Sequence, residues 1–191
     1  MGITGFLRSA RSAVLDEKAK RYWLFYAGPE NYLFDGGIRE LPKEAFWSCE
    51  PETRQGDHIL VYRKSLNQLS VERLVKEFGM SKDVAVATKR SGAGKDFPAI
   101  WEAVSNAKRK LFWAWPYGCD IREVRRIEPP VLLDELKAEP RLKGWEGLRW
   151  NLQAQGQSAL EIPEFAWNAV LEIVDNPRSQ RPTTSIRNAE P

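Results

Sequence analysis

The sequence predicts an α+β fold, and three observations carry that prediction. Runs of strand length, rich in aromatic or branched residues and bounded by Gly, Pro or Asp, fall at residues 22–26, 59–62 and 119–127. Longer stretches, at residues 66–80 and 162–174, repeat their apolar side chains at helical spacing. A chain of 191 residues that is 42% apolar can bury one sizeable core, so one domain with appendages is the expected organisation.

Residues 1–20 combine rough helical spacing (Phe6, Leu7, Ala10, Val14, Leu15) with basic residues (Arg8, Arg11, Lys18, Lys20). Asp16 and Glu17 speak against an organellar presequence, and the apolar run is too short for a secretory signal. Phe6 stands where the myristoylation pattern asks for Ser or Thr. The segment reads as a loosely docked extension. Globular sequence begins with the strand Tyr22-Trp23-Leu24-Phe25-Tyr26, broken by a turn at Gly28-Pro29, with Asn31 and Tyr32 on the loop that follows. Pro42 to Phe46 leads into Trp47-Ser48-Cys49, an aromatic ring with small neighbours that reads as a pocket wall. A turn over residues 53–57 then precedes the strand at 59–62.

Leu69, Val71, Leu74, Val75 and Phe78 mark an amphipathic helix with Ser70 as N-cap and Gly79 as stop. Residues 83–88 read as another strand, residues 89–95 as a glycine-rich basic loop, and residues 98–108 as a second helix opened by Pro98. Two strands, 111–115 and 119–127, flank Pro116-Tyr117-Gly118. A short helix over 131–138 and an extended or irregular segment over 149–153 follow. The last helix starts at Ile162-Pro163 and carries Phe165, Trp167, Val170, Leu171 and Val174. After Asp175 the chain is rich in Pro, Arg, Ser, Thr and Asn and is expected to be disordered.

Composition narrows the function classes. A net charge of +3 permits a nucleic-acid partner without arguing for one. Two cysteines and one histidine make neither a disulfide framework nor a zinc site, which suits a reducing cytoplasm; no metal and no cofactor are expected. No apolar run approaches the roughly 18 residues of a membrane span, so a soluble protein is expected. Eight tryptophans exceed what packing needs, and Trp serves cores, interfaces and base stacking alike. Trp101 and Trp167 fall on apolar helix faces and read as structural, Cys49 as a small buried hydrophobe, and His58 as a turn residue. Trp113 and Trp115 share one strand face, in the core or along a pocket.

Two enzyme-like patterns fail on inspection. Gly92-Ala93-Gly94-Lys95 is followed by Asp96 in place of Ser or Thr, and Lys89 stands where a phosphate loop needs its first glycine. Glu135-Leu136-Lys137 has nuclease-like spacing but lies in a helical pattern. With no paired carboxylates and no histidine-based triad, no catalytic residue is assigned and the protein is expected not to be an enzyme. Lys89, Arg90 and Lys95 can contact a nucleic-acid backbone or form an ordinary solvated loop.

Five separated segments carry a resemblance: Tyr22-Trp23-Leu24 with Gly28-Pro29, Trp47-Ser48-Cys49, Gly56-Asp57 leading to Leu60-Val61-Tyr62-Arg63, the run from Pro130 to Lys137, and the run from Leu148 to Gln153 before a closing helix. In order and spacing they resemble an EVE domain, a member of the PUA-like group related to YTH domains. The resemblance covers residues 21–174, between the extension 1–20 and the tail 175–191, with residues 64–110 as an extended, helical insertion. It implies a curved β-barrel flanked by helices and a pocket for one nucleobase flipped out of its strand, such as methylated or hydroxymethylated cytosine or methylated adenine. Carried over residue by residue, Trp47 and Ser48 correspond to the cage tryptophan and its small polar neighbour, and Tyr26, Tyr62 and Arg63 to pocket-lining strand ends. Asn151 and Gln153 close the pocket, and Trp113 or Trp115 supplies its opposite wall. The implied partner is DNA or RNA carrying a modified base, with a protein effector beside it, in the cytoplasm, or in the nucleoid or nucleus if the ligand is DNA. A general RNA-binding module without modification preference and a nucleic-acid-processing enzyme are the alternatives.

Overall fold

Strand β1 (Tyr22–Ala27) sends its alternate side chains into two different cores. Trp23, Phe25 and Ala27 join one cluster; Leu24, with Tyr22 and Tyr26 packed alongside, joins the other. The same division runs through β5 (His58–Arg63), where Ile59 and Val61 go one way and Leu60 and Tyr62 the other. A sheet buried on both faces demands the near-continuous apolar runs that these two strands have.

The structure is a computed structural model and describes residues 20–111, 115–149, 152 and 158–176. After β1 come α1 (Pro29–Tyr32), the two-residue strands β2 (Leu33–Phe34) and β3 (Gly37–Ile38), and β4 (Glu44–Ser48). Beyond β5 lie α2 (Val71–Phe78), α3 (Lys82–Arg90), β6 (Asp96–Ala103), β7 (Lys108–Arg109) and the long β8 (Tyr117–Leu132). The chain closes with α4 (Leu133–Ala138), a 3-10 turn (Pro140–Leu142), α5 (Glu146–Arg149), β9 (Ala159–Glu161) and α6 (Glu164–Asp175). The main sheet has the order β4-β8-β6-β5-β1-β9, with β7 paired to β8 and β2-β3 a separate ribbon. Its pairs are antiparallel except β1 with β5.

Residues from α1, α2 and α3 cover one face, which we term the α2/α3 face; α4, α5 and α6 cover the other, the C-terminal-helix face. The sheet curls until its two edge strands meet. Glu50, just past β4, accepts hydrogen bonds through Oε1 from Ser158 N (2.7 Å), Ser158 Oγ (2.8 Å) and Ala159 N (3.2 Å) at the start of β9. That carboxylate is a seam between the first and last strands of the sheet order. The result is a curled half-barrel flanked by helices, the α+β architecture that the resemblance implies. Among the described residues no helix is long and apolar enough to cross a membrane.

Several expected elements change type. Residues 83–88 are helical: Ser81 caps α3 by accepting from Val84 N (3.3 Å), and Ala85 and Thr88, three apart, are its buried residues. Residues 98–108 contribute no helix. Phe97, Ala99, Ile100, Trp101 and Ala103 are buried on the two faces of β6, and a strand buried on both faces imitates helical spacing. Opposite β6, the register slips between Ala99↔Arg126 and Phe97↔Val131, around Pro129 and Pro130, which lack the N–H that a ladder needs. Part of the expected insertion is therefore a central strand of the sheet. Of the strand expected at 111–115, residues 112–114 lie outside the described residues, and the short strand β7 precedes them; Val131 belongs to β8, with α4 starting at Leu133. The predicted α2, its Ser70 cap and its left-handed Gly79 stop match the structure. Of the extension 1–20 and the tail 175–191, residues 1–19 and 177–191 lie outside the described residues, and Asp175 and Asn176 finish α6.

Candidate nucleic-acid interface

β4 brings Trp47 to the seam. Alternation turns Ala45 and Trp47 toward the α2/α3 face, where the Trp47 ring, half-buried, packs 6.5 Å from the ring of the fully buried Trp101 at an interplanar angle of 53°. The Trp101 indole N–H has no hydrogen-bond partner among the described residues. Such a donor is a standing cost of about 1–3 kcal/mol until something accepts from it. Cys49 and Cys119 lie on the same face, Cys119 being the ladder partner of Trp47. The Cys119 thiol donates to Cys49, which holds Cys49 below its ordinary pKa, with Thr53 and the Lys110 charge adding to the effect; Cys119 is pushed up by the same bond and by burial. Lys110 Nζ donates to Ser48 Oγ (3.0 Å), and burial lowers its pKa. Ring, hydroxyl, one thiol and seam carboxylate thus come from four consecutive residues, Trp47 to Glu50, and Cys119 and Lys110 meet them from β8 and from the residue after β7.

The predicted site residues do not form one pocket. Trp47 and Ser48 stand at the seam, and Trp115 is 39% exposed on the β7–β8 connection, which Lys110 N closes by donating to Pro116 O. Tyr26 and Tyr62 are on the opposite face, because even and odd positions of β1 and β5 diverge. Their rings meet edge to face at 6.5 Å, and Lys64 Nζ sits 5.4 Å over Tyr26. Burial first, then Asp96 and Asp134, pushes Tyr62 up to about 12; burial also raises Tyr26, whose hydroxyl is buried and unpartnered among the described residues. Trp113, Asn151 and Gln153 lie outside the described residues.

Arg63 is engaged within the fold. Its Nε and Nη2 reach the two oxygens of buried Asp96 at 2.7 and 2.6 Å, and its guanidinium lies 5.6 Å over the Tyr32 ring. The bidentate fork leaves little of it for a ligand. Lys89 is likewise engaged: its Nζ donates to the carbonyls of Leu66 (3.0 Å), Asn67 (2.8 Å) and Leu69 (2.6 Å), which uses all three of its donors. Arg90 and Lys95 are exposed, as a backbone contact requires. The glycine-rich loop links α3 to β6 and packs tightly on the chain just after β5, since a Cβ on Gly94 would collide with the Lys64 carbonyl oxygen. His58 belongs to β5, where its ring lies 5.7 Å from Trp167 and 6.1 Å from Tyr22. Trp101 is fully buried on an apolar face, as expected, but on a strand, β6.

Glu50, Lys110 and the unpartnered N–H of Trp101 escape sequence reasoning, because each depends on which strands become neighbours. Phe46 was legible: an aromatic residue next to an inward Trp on a strand must face the other way. An open groove of about 470 Å³ runs beside β4, lined by Glu44, Ala45, Val104, Asp120, Ile121 and Arg122, without an aromatic wall.

Neither a family model nor a curated protein matches the sequence. Solved structures do match in fold. A protein of Rhodopseudomonas palustris superposes with a TM-score of 0.52 at 19% identity, covering 81% of this chain and 93% of its own. A protein of Agrobacterium tumefaciens gives 0.51 at 18% identity, with 85% and 96% coverage. Human THYN1, solved in complex with 5-methylcytosine-containing DNA, gives 0.50 at 14% identity, with 83% and 99% coverage. Identities this low speak to architecture alone, and at that level the expectation holds: the chain shares the fold of these structures, a curled mixed sheet flanked by helices.

Proposed function

We propose that this protein is a non-catalytic module that binds a modified base, a methylated or hydroxymethylated cytosine or a methylated adenine, flipped out of DNA or RNA and held at the seam beside Trp47. The observation that carries the reading is the unpartnered, fully buried N–H of Trp101 next to the half-exposed ring of Trp47. The Trp47 ring offers a flat ligand a π-face, and the indole N–H, closed off from solvent here, meets an acceptor on the ligand's edge once the packing over it opens. Stacking of one base contributes about 1–3 kcal/mol, whereas a buried methyl group adds only about 0.8 kcal/mol, so discrimination needs the edge contact as well. The fold shared with THYN1, which was captured with 5-methylcytosine-containing DNA, supports the same ligand class. No chemical step is assigned to the site.

Fluorescence titration of the full chain against matched short strands tests this. The panel carries plain cytosine, 5-methylcytosine, 5-hydroxymethylcytosine or N6-methyladenine, in DNA and in RNA. The expected result is saturation by one modified strand at a concentration at least about tenfold below its plain counterpart, with the preference lost in Trp47→Ala. Equal binding of all strands would favour a general PUA-like RNA-binding module, and unchanged preference in Trp47→Ala would remove Trp47 from the site.

A further inference from the structure

The two outer edges of the main sheet are left in different states. On β9 the outward N–H of Ala159 is taken up by the Glu50 carboxylate (3.2 Å). On β4 the pairing with β8 is unbroken from Glu44↔Arg122 to Ser48↔Gly118, and it continues at both ends, Glu123 N donating to Lys43 O (2.8 Å) and Cys49 N to Tyr117 O (3.2 Å). In an antiparallel ladder only alternate residues exchange bonds with one neighbour, so Ala45 and Trp47 turn their N–H and C=O groups to β8 while Glu44, Phe46 and Ser48 turn theirs outward. Among the described residues nothing bonds to those outward groups. The usual guards of an exposed edge are missing as well: residues 44–48 carry no proline, no lysine and no bulge. The Phe46 ring leans back over β8, where a Cβ at Gly118 would stand 2.6 Å from it, and so leaves the edge clear.

The strand so exposed is complementary to itself. Antiparallel pairing of two copies about Phe46 sets Phe46 opposite Phe46, and, once on each side of the two-fold axis, Glu44 opposite Ser48 and Ala45 opposite Trp47. All the outward groups of β4 then find partners. Charge fits the same register. Lys110 Nζ donates to Ser48 Oγ (3.0 Å), so the ammonium of one copy comes beside the Glu44 carboxylate of the other, at both ends of the pair. Glu44 is exposed and makes no ion pair among the described residues, while Lys108 and Asp120, farther in on the same face, are matched to each other (3.0 Å). On the opposite face Ala45, the smallest side chain of β4, leaves space for the Trp47 ring across from it. We infer that the free edge of β4 pairs with β4 of a second copy of this chain, giving a two-fold dimer with one continuous sheet. The two Trp47 rings then open on one face of that sheet. The inference stands on the strand edge and its charges, whatever Trp47 binds.

Sedimentation velocity of the full chain tests this. One short strand pair is a small interface, so monomer should give way to dimer between about 10 μM and about 1 mM. Amide hydrogen exchange, read by NMR at the two ends of that range, locates the contact. The Phe46 and Ser48 amides should slow by at least about fivefold at the higher concentration, and those of Ala45 and Trp47, already bonded to β8, by less. Glu44→Lys sets a lysine beside Lys110 at both ends of the pair, so it should weaken dimerisation by at least about tenfold, and adding Lys110→Glu should restore it. The thermal melt of Glu44→Lys should match the parent. A parent that stays monomeric throughout the range overturns the inference. So does a dimer whose Phe46 and Ser48 amides exchange as in the monomer, or a Glu44→Lys variant that dimerises like the parent. Slowing of those amides in a monomeric parent only after a single-stranded oligonucleotide is added would give the edge to nucleic acid and overturn the dimer as well.

Discussion

Two aromatic pairs sit on opposite faces of one sheet with the same centroid separation of 6.5 Å: Trp47 with Trp101, and Tyr26 with Tyr62. The tyrosines lie with the C-terminal-helix cluster, where burial raises both phenols. Trp47 lies at the seam, half open, in front of a fully buried donor with no partner. Each pair leaves one buried polar atom unpartnered among the described residues, the Trp101 N–H and the Tyr26 hydroxyl, and the pairs differ in place: Trp47 is on the edge strand β4, the tyrosines on the interior strands β1 and β5. Rings at similar sequence distance from strand ends take opposite roles because side chains alternate across a strand, and no composition count can distinguish them.

That contrast can be broken most forcefully at Arg63. If the tyrosine side is structural, Arg63→Ala should cost about 3–5 kcal/mol of folding stability by leaving Asp96 buried and unpaired, read by urea denaturation. A variant of parental stability that loses ligand binding would return Arg63 to the site. Glu50→Ala should come next, at about 2 kcal/mol, from the loss of three hydrogen bonds to a carboxylate at the seam. Glu50→Gln, which keeps an acceptor oxygen, should recover most of that stability, and equal losses in the two would mean that charge, not acceptance, holds the seam. Tyr26→Phe removes a buried hydroxyl without a partner and should change the midpoint by less than about 1 kcal/mol, in the stabilising direction. A marked loss would reveal a bond at that hydroxyl.

The smallest effect concerns pH. Burial, with help from Lys20, holds His58 below its ordinary pKa, while Glu102 and Asp57 oppose the shift. Between the depressed folded value and the unfolded value near 6.5, the unfolded chain takes the proton first, so stability present above about pH 7 is lost as pH falls toward 5. His58 is the single histidine of the sequence, so in His58→Gln that slope should flatten; an unchanged slope would assign it to carboxylates.

Much of the fold was legible. The Ser70 cap and Gly79 stop delimit α2 by local chemistry, and the strands β1 and β5 announce themselves by aromatic and branched runs between turns. What misled were sequences whose period is ambiguous: Val84-Ala85-Val86-Ala87 alternates yet is helical, and the β6 run looks helical yet is a strand buried on both faces. At the candidate site, the place of Trp47 and Ser48 just ahead of a turn and the strand β5 could be read from their neighbours in sequence. Their separation from Tyr26 and Tyr62 required knowing on which face each strand presents which parity, and the partners of Lys89 required knowing that the 66–69 loop lies over the end of α3.

The Glu50 seam also has a consequence in time. Its partners stand 108 and 109 residues downstream, and sequence-distant contacts are slow to form and cannot exist before the second partner is synthesised. A nascent chain stopped short of Ser158 can already hold β1 against β5 and fold α2, yet the two edges of its sheet have nothing to join them. Closure of the sheet then arrives as a late, single event in the life of each new molecule, after the ribosome has delivered β9.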